Sequence, residues 1–267
     1  MDSLPESIGN ELDEARQKLL RLEQEHSRCV EELKAAEDAA EESAANAKNA
    51  ADELQYFVYA ASHDLQQPLR AVNTHAQLLQ RRFPDDEIAR EFTKVIVEGA
   101  TQMNGLITDL LTYSRVGNHF DPQPVHLSAP LQWALFTLNK VIGESQAQVA
   151  VGEMYEVSGN EKQLATVFEN LIGNAIKFRA AAPLLIEINA QCEERQVIVS
   201  VRDNGSGIKP EYLERVFEPF KRLHSKDIPG NGLGLSICRK IMRAHHGKIW
   251  IESNGDTGSV AKFALPR

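Results

Sequence analysis

The chain has 267 residues and a net charge of −9. This length suits one or two globular domains plus an extended element, and the acidic balance argues against a nucleic-acid partner. The three cysteines form no CxxC pair, which argues against a zinc site and a disulfide framework and favours a reducing cytoplasm. No apolar run reaches 18 residues, so we expect no membrane span.

A heptad pattern dominates the first 60 residues. Apolar and small residues recur at alternating spacings of three and four from Leu12 to Ala61, and no Gly or Pro interrupts them. The pattern predicts a parallel, dimeric coiled coil over residues 1–54, with Cys29 as a small apolar residue of the seam. The alternative is a solvated single helix or a disordered acidic segment, neither of which requires such a repeat.

A helical hairpin is predicted next. The first helix should continue to about Arg82, turn at residues 83–86, and be followed by a second amphipathic helix. One hairpin cannot bury both apolar stripes, whereas two hairpins can, as a four-helix bundle. We therefore expect a homodimeric domain over residues 55–117. The stripe predicted to be buried in its first helix comprises Ala61, Leu65, Leu69, Val72, Ala76 and Leu79.

The most informative short motif is SHDL at residues 62–65. His63 falls on the polar face of its helix, and an exposed neutral imidazole is a competent nucleophile at cellular pH. Asp64 is placed to hydrogen-bond the ring nitrogen that does not attack. Pro68 lacks a backbone N–H donor, which predicts a kink just after the reactive residue. The alternative is a surface histidine without chemistry.

The composition changes after the hairpin. Residues 115–126 combine Gly, Asn, Asp and Pro, which predicts a linker and a hinge. Helices are predicted at about 128–142, 160–178 and 234–245, and strands at 184–190, 196–202, 248–253 and 259–265. Without βαβ alternation, these elements indicate an α/β sandwich over residues 118–267, so the whole chain is assigned to the α+β class.

Three further residue types receive a structural interpretation. Trp133 and Trp250 are expected in the core of the sandwich. His245 and His246 precede Gly247, and basic residues followed by Gly are typical of a helix C-terminus. We therefore assign no chemistry to these histidines.

The C-terminal part carries three motifs with nucleotide-site chemistry. NLIGNAIKF (170–178) puts two amides and an ammonium on one helix face, which suits Mg²⁺ and phosphate. DNGSGI (203–208) follows a strand, so Asp203 can accept a hydrogen bond from an amino group. GNGLGL (230–235) opens onto a helix N-terminus and forms an anion cradle. Taken singly, each motif also occurs by chance.

In their order, the motifs resemble those of two-component sensor histidine kinases. ASHDLQQPLR resembles the H-box and is most similar to that of phytochrome-type kinases. NLIGNAIKF resembles the N-box, DNGSGI the G1 box, VFEPFKRLH the F-box, GNGLGL the G2 box and GSVAKFALP the closing strand. The resemblance covers about residues 55–267.

This resemblance implies specific roles. His63 is the expected phosphoacceptor and Asp64 its acid/base partner. Gln67 matches a position that orients water for dephosphorylation of the partner, where Thr or Asn is more usual. ATP and Mg²⁺ are the expected cofactors, with Asn174 as the metal ligand. The expected nucleotide-binding residues are Asn170, Asn174, Lys177, Phe178, Arg179, Asp203, Gly205, Gly207, Ile208, Phe217, Phe220, Lys221, Arg222, Gly230, Gly232, Leu233, Gly234, Leu235 and Ser259, of which Phe217, Phe220, Lys221 and Arg222 belong to a mobile lid.

The expected activity is ATP-dependent autophosphorylation of His63 and transfer of the phosphoryl group to an aspartate of a response regulator receiver domain. Phosphatase activity toward that regulator is a further expectation. A sensor is expected outside the chain, because no sensory segment precedes the coiled coil. Two alternatives stay open. The first is a signalling scaffold without catalysis, which nucleotide binding would distinguish from a kinase. The second is an ATPase of the gyrase, chaperone or mismatch-repair type, which would differ from a kinase in not transferring phosphate to the protein.

Overall fold

The computed structural model describes residues 6–116, 122–180, 183–222 and 230–267, with residues 6–15 given as helical backbone only. The chain divides into two compact units, residues 1–57 and 58–267. In the described ranges, no helix combines the length and the apolar character that a membrane span requires.

Helix α1 spans Glu6–Arg82 and supplies the first unit. Leu19, Leu22 and Leu33, which belong to the predicted seam, are 57%, 54% and 64% exposed. The seam is therefore uncovered in a single chain, as expected of a helix that needs a partner helix to bury it. The assigned helix continues through Pro68, so the predicted kink stays a prediction.

Helix α2 spans Glu87–Arg115 and completes the predicted hairpin. Its N-cap is Asp86, whose side chain accepts a hydrogen bond from the Ala89 backbone N–H at 3.0 Å. The predicted turn at 83–86 is confirmed, because α1 ends and α2 begins on either side of it. The side chains that are buried on the two helices are small: Ser62, Ala76, Thr93 and Ala100.

The stripe predicted to be buried on α1 is largely uncovered in the single chain. Leu65, Val72 and Leu79 are 55%, 46% and 49% exposed, and of this stripe only Ala76 is fully buried. The reason is geometric, since α2 covers one side of α1 and the stripe is wider than one neighbouring helix can cover.

The described C-terminal part contains a two-stranded antiparallel sheet and a five-stranded mixed sheet, with helices packed against them. The strands are β1 Gln123–His126, β2 Gln148–Val151, β3 Glu156–Gly159, β4 Leu185–Cys192, β5 Gln196–Asp203, β6 Lys248–Glu252 and β7 Ser259–Pro266. The main sheet has the order β2-β4-β5-β7-β6, in which only the β2–β4 pair is parallel. Strands β1 and β3 form a separate antiparallel pair.

The helices of this part are α3 Ser128–Thr137, α4 Asn139–Ser145, α5 Glu161–Lys177 and α6 Gly234–Ala244, with short 3₁₀ turns at Pro210–Tyr212 and Arg215–Phe217. One face of the sheet is buried, because apolar residues alternate with exposed ones along β4 and β5. Phe168 of α5 meets Phe263 of β7 edge to face, with ring centroids 5.5 Å apart. The predicted α+β class, with a helical hairpin before an α/β sandwich, is confirmed.

Several local predictions were wrong. Residues 123–126 of the predicted linker form strand β1, because they pair with β3, a partner that local signals cannot reveal. Residues 117–121, the centre of the predicted hinge, lie outside the described residues. The helix predicted at 128–142 is two helices separated at Leu138. Strands β2 and β3 and the 3₁₀ turns were not predicted.

The prediction that both tryptophans are core residues was wrong for Trp133. This side chain is 61% exposed, because α3 turns Pro130, Leu131 and Ala134 toward the core instead. Trp250 is partly buried on β6 and lies over the Lys248 ammonium at 5.2 Å.

Candidate active site

A cavity of about 270 Å³ collects most of the predicted nucleotide residues. It is formed where α5, β5, β7 and the start of α6 meet. The predicted residues that line it are Asn170, Asn174, Lys177, Phe178, Asp203, Gly207, Ile208, Lys221, Arg222, Gly230, Gly232, Gly234, Leu235 and Ser259. Motifs separated by up to about 90 residues along the chain thus share one cavity.

Helix α5 supplies the amide and ammonium groups of this cavity. Asn160 caps the helix by accepting a hydrogen bond from the Gln163 N–H at 3.1 Å, which fixes the register of the face that carries Asn170, Asn174 and Lys177. The Asn170 Nδ2 donates to the Thr166 carbonyl at 2.8 Å, and its Oδ1 faces Gly234 at the start of α6.

The Lys177 ammonium lies beside the glycine loop and 5.0 Å from the centre of the Phe178 ring. Burial lowers the pKa of this ammonium, the Arg222 guanidinium lowers it further, and the Asp109 carboxylate opposes both effects. Two cationic groups at one end of the cavity make that end attractive for an anion.

Asp203 ends β5 directly opposite Ser259 of β7 in the sheet register. The Ser259 hydroxyl donates to Asp203 Oδ2 at 2.6 Å, and the Gly205 N–H donates to Asp203 Oδ1 at 2.8 Å. The carboxylate is therefore held in one orientation. Because each carboxylate oxygen has a second lone pair, it can still accept a hydrogen bond from a ligand.

Two glycines permit the close backbone approaches that shape the cavity. A Cβ at Gly205 would collide with the Phe178 carbonyl oxygen, which already accepts the Ser206 N–H at 2.9 Å. Gly232 has φ = 72° and lies against the backbone of Lys221, where a Cβ would come within 2.9 Å. Both positions require glycine because backbone, rather than a flexible side chain, occupies the neighbouring space.

Helix α6 begins at Gly234 and has no side-chain cap at its N-terminus among the described residues. Its first N–H groups therefore have no intrahelical or side-chain partner in the described part of the chain, at the place where Gly230, Gly232 and Gly234 line the cavity. Such N–H groups and the helix dipole favour an anion at this end of the helix.

His63 lies on α1 and does not line the cavity. Its side chain is 59% exposed, and its Nδ1 is 3.3 Å from Asp64 Oδ1, in the contact that the sequence predicts. Gln67 is exposed one helical turn further along the same helix. The imidazole is accessible, with one nitrogen facing the aspartate and the other turned away from it.

Five predicted nucleotide residues do not line the cavity. Gly205 supports Asp203 from beside it, Arg179 reaches the Ser145 carbonyl, and Leu233 is 1% exposed in the core. Phe217 is 2% exposed, with the Arg239 guanidinium 5.6 Å from its ring centre, whereas Phe220 is 61% exposed at φ = 60°. Residues 223–229, which include the end of the F-box, lie outside the described residues. The roles of these residues stay predictions.

Other cavity residues were missed by the sequence analysis. Val201 and Ala261 lie two positions from Asp203 and Ser259, so the strand period of two identifies them once those residues are chosen. Asn231 belongs to the glycine loop. Asp109 comes from α2, accepts a hydrogen bond from Asn231 Nδ2 at 2.7 Å, and has no local sequence signal. Burial raises the pKa of Asp109, while Asn231 and Lys177 oppose that shift.

His245 is the C-cap of α6, as the sequence predicts, but its buried side chain also makes contacts that the sequence did not reveal. The side chain is 2% exposed, its Nδ1 is 2.9 Å from the Ile241 carbonyl oxygen, and its Nε2 accepts the Asn160 backbone N–H at 3.0 Å. Burial lowers the pKa of His245, which favours the neutral ring. This histidine connects the end of α6 to the cap of α5, and His246, with φ = 53°, takes the left-handed position after the helix.

Two known domain families match the chain. The family described as "His Kinase A (phospho-acceptor) domain" matches residues 53–119, which contain His63. The family described as "Histidine kinase-, DNA gyrase B-, and HSP90-like ATPase" matches residues 159–267, which contain almost all of the cavity.

Similar proteins support the same assignment. The phytochrome-like protein Cph1 of Synechocystis sp. is 40% identical over 88% of this chain, and cyanobacterial phytochrome A of Nostoc sp. is 42% identical over 80%. The matches cover 32% and 28% of those proteins, so the chain spans about a third of their length.

Two solved structures show the same fold. Full-length ShkA in complex with AMPPNP has a TM-score of 0.64 at 24% identity, over 78% of this chain and 45% of that one. ThkA in complex with the response regulator TrrA has a TM-score of 0.57 at 23% identity, over 79% of this chain and 60% of that one. With its phosphoacceptor and ATPase-type domains in this order, the chain carries the core of a two-component histidine kinase.

Proposed function

We propose that the protein is an ATP-dependent protein-histidine kinase that phosphorylates His63 and passes the phosphoryl group to an aspartate of a response regulator. The observation that carries the proposal is the combination of an exposed His63–Asp64 pair and a separate, glycine-walled cavity in the same compact unit. A scaffold without catalysis would not require the cavity, and an ATPase of the gyrase type would not require the exposed His63.

The chemistry of the cavity suits ATP from end to end. The oriented Asp203 carboxylate is available to accept a hydrogen bond from the amino group of adenine, and apolar side chains such as Val201 and Ile251 line the same cavity. At the other end, Lys177, Arg222 and the N-terminus of α6 suit the phosphates. The similar ShkA structure is a complex with AMPPNP, an ATP analogue.

Mg²⁺ fits the donor set of this cavity. Among the described residues, no cluster of three or more His, Cys, Asp or Glu side chains can hold a metal by itself. Mg²⁺ commonly takes few protein ligands and completes its shell with phosphate oxygens and water, so the Asn174 amide oxygen suffices as a protein ligand. When bound with ATP, Mg²⁺ would offset the charge of the phosphates.

The proposed reaction is an in-line displacement at the γ-phosphorus. The His63 Nε2 lone pair forms the N–P bond while the bond from phosphorus to the bridging oxygen of the β-phosphate breaks, and ADP leaves with that electron pair. The Nδ1 proton faces Asp64, which holds the tautomer with Nε2 unprotonated and stabilises the positive charge that develops on the ring. The exposed ring leaves space for a second domain to deliver the phosphate.

A response regulator receiver domain is the proposed acceptor. The similar ThkA kinase was solved in complex with a response regulator protein. Gln67 is exposed one turn from His63, where a side-chain amide can orient water toward a phosphoaspartate. Phosphatase activity toward the regulator is therefore part of the proposal, and Gln67→Ala should abolish it while leaving His63 phosphorylation intact. A cytoplasmic location, favoured by the cysteine usage, stays a prediction.

A homodimer is proposed from the uncovered apolar faces. On α2, Ile88, Phe92 and Val95 are 67%, 65% and 63% exposed, so both helices of the hairpin carry uncovered apolar residues. Exposed apolar surface of this extent marks an interface. A second hairpin would cover it as a four-helix bundle, and the exposed leucines of the first unit would be covered by a parallel partner helix.

The proposal is tested by incubating the chain with γ-labelled ATP and Mg²⁺. We expect an acid-labile, alkali-stable phosphoprotein, as is typical of phosphohistidine. His63→Gln should abolish the label. His75→Gln provides the matched control, because His75 is also exposed on α1 but its ring is bound to the Ala71 carbonyl of its own helix.

Two outcomes would reject the assignment. Persistent labelling of His63→Gln would show that phosphate is attached elsewhere. Release of free phosphate without any labelled protein would favour an ATPase of the gyrase type.

A further inference from the structure

One face of α2 lies against the ATP-binding part of the second unit. Gly105, Asp109 and Tyr113 are spaced by four residues and therefore share that face. The Asn231 Nδ2 donates to Asp109 Oδ2 at 2.7 Å, and the Lys240 Nζ donates to the Tyr113 carbonyl at 2.6 Å. A Cβ at Gly105 would be 3.4 Å from Asn231 Nδ2, so the glycine leaves room for this amide. We call the arrangement in which α2 makes these contacts with the ATP-binding part the docked state.

Asp109 reaches from α2 into the cavity itself. It lines the cavity together with Lys177, Arg222 and Asn231, at the end with the cationic groups. Its charge also acts on Lys177, so the two groups are close enough to interact. In the docked state, an acidic side chain of the phosphoacceptor hairpin thus engages the glycine-loop asparagine where phosphates are expected.

We propose that Asp109 is an internal competitor of the ATP phosphates, so that nucleotide binding and the docked state exclude each other. This inference rests on the proposed function, because it assumes that the cavity binds ATP. A carboxylate and a triphosphate repel each other in a partly buried site, and both would use the Lys177 ammonium and the Asn231 amide donor. ATP must therefore displace Asp109 and, with it, weaken the hold of α2 on the glycine loop.

ATP binding and docking of α2 should weaken each other. Any change that weakens the docked state raises the fraction of chains that can bind ATP and so tightens the apparent affinity for ATP. Lys240 allows docking to be weakened without altering the cavity, because it stabilises the docked state through Tyr113 but does not line the cavity. A mutation there changes docking without changing the charge at the phosphate end.

The experiment measures the dissociation constant for ATP with Mg²⁺ on the full chain by calorimetry. We expect Asp109→Asn and Lys240→Met each to lower the dissociation constant by about fivefold, the lower end of typical coupling between sites. Asp85→Asn is the matched control. It removes the same charge from an exposed turn residue outside the cavity and should leave the affinity unchanged.

The outcomes separate this inference from the proposed function. A wild-type chain that binds no ATP would remove the proposed function itself. If the wild type binds ATP and only Asp109→Asn tightens binding, Asp109 acts by local charge and competition with docking is refuted. Weaker binding by Asp109→Asn would instead indicate that the carboxylate helps to hold Mg²⁺ and ATP, which also overturns the competition.

A kinetic readout adds a second test. Lys240→Met should raise the initial rate of His63 labelling at low ATP, since more chains are competent to bind. At saturating ATP, the docked state is depleted in both proteins, so their rates should be equal. A changed rate at saturation would mean that Lys240 acts on the transfer step, which would refute the competition.

Discussion

The buried His245 is predicted to stabilise the arrangement of the two helices that border the nucleotide cavity. Its Nε2 accepts the Asn160 N–H, its Nδ1 contacts the Ile241 carbonyl, and its ring packs against Gly159. His245→Ala should leave the Asn160 N–H without this partner, which costs about 1–3 kcal/mol. With the loss of buried ring contacts, we expect the free energy of unfolding to fall by roughly 3 kcal/mol.

The free energy of unfolding should depend on pH, because only the neutral His245 ring stabilises the fold. Because burial lowers the pKa of folded His245, the unfolded chain binds a proton more readily than the folded chain does. The stabilisation is therefore fully present above the unfolded pKa of about 6.5 and is lost as the pH falls below it, by up to about 1.4 kcal/mol per pH unit. His245→Gln lacks this titration, so its stability deficit relative to wild type should shrink as the pH decreases.

The measurement is denaturant unfolding at fixed protein concentration between pH 5.5 and 8. Tryptophan fluorescence reports the relevant region, because both tryptophans, Trp133 and Trp250, belong to it. His246→Asn is the control, since it removes the neighbouring exposed histidine from a left-handed position that Asn tolerates. A stability difference between the wild type and His245→Gln that stays constant over this pH range would refute the reasoning.

Three further predictions concern backbone space, thiol burial and signalling. Gly205→Ala should lower the free energy of unfolding by about 1–3 kcal/mol and weaken ATP binding, because its Cβ meets the Phe178 carbonyl. Gly143→Ala is the control: it has open space around it and should be neutral or stabilising when both variants are compared by thermal unfolding. Burial raises the pKa of Cys238 to about 12, so thiol reagents should modify the exposed Cys192 but leave Cys238 unmodified until the chain unfolds, as mass spectrometry can show. Insertions of two to four residues near position 45 should change autophosphorylation with helical phase, and a flat response across the series would contradict signal transmission through the coiled coil.

The periodic elements could be predicted from the sequence because their signals are local. The hairpin turn, α5, α6 and strands β4 and β5 follow from helical or alternating patterns and from the capping residues. The short strand β1 could not be predicted, since its four residues include Pro124 and it depends on a distant partner, β3. Trp133 shows a related limit, because composition favours burial of tryptophan whereas the orientation of α3 exposes it.

For the candidate site, the motifs were predictable and their mutual contacts were not. The resemblance selects Asn174, Asp203 and the glycine loop, and the structure places them around one cavity. Asp109 and His245 have no motif, because their importance arises from tertiary contacts with residues more than 80 positions away. Such residues become visible only when burial and hydrogen-bond partners are known.

The strength of the docked state decides whether ATP can reverse it. Each of its two hydrogen bonds contributes about 1 kcal/mol net, so together they hold the hairpin with about 2 kcal/mol, less than the roughly 4 kcal/mol that even a nucleotide of millimolar affinity supplies. Val116, which follows α2, is only 4% exposed and belongs to the core of the ATP-binding part. Its burial contributes about 1.5 kcal/mol or more, and breaking the two polar contacts does not require its removal. Displacement of Asp109 would therefore free the glycine loop while the end of α2 stays anchored at Val116, so the ATP-binding part would pivot about that anchor rather than separate from the hairpin.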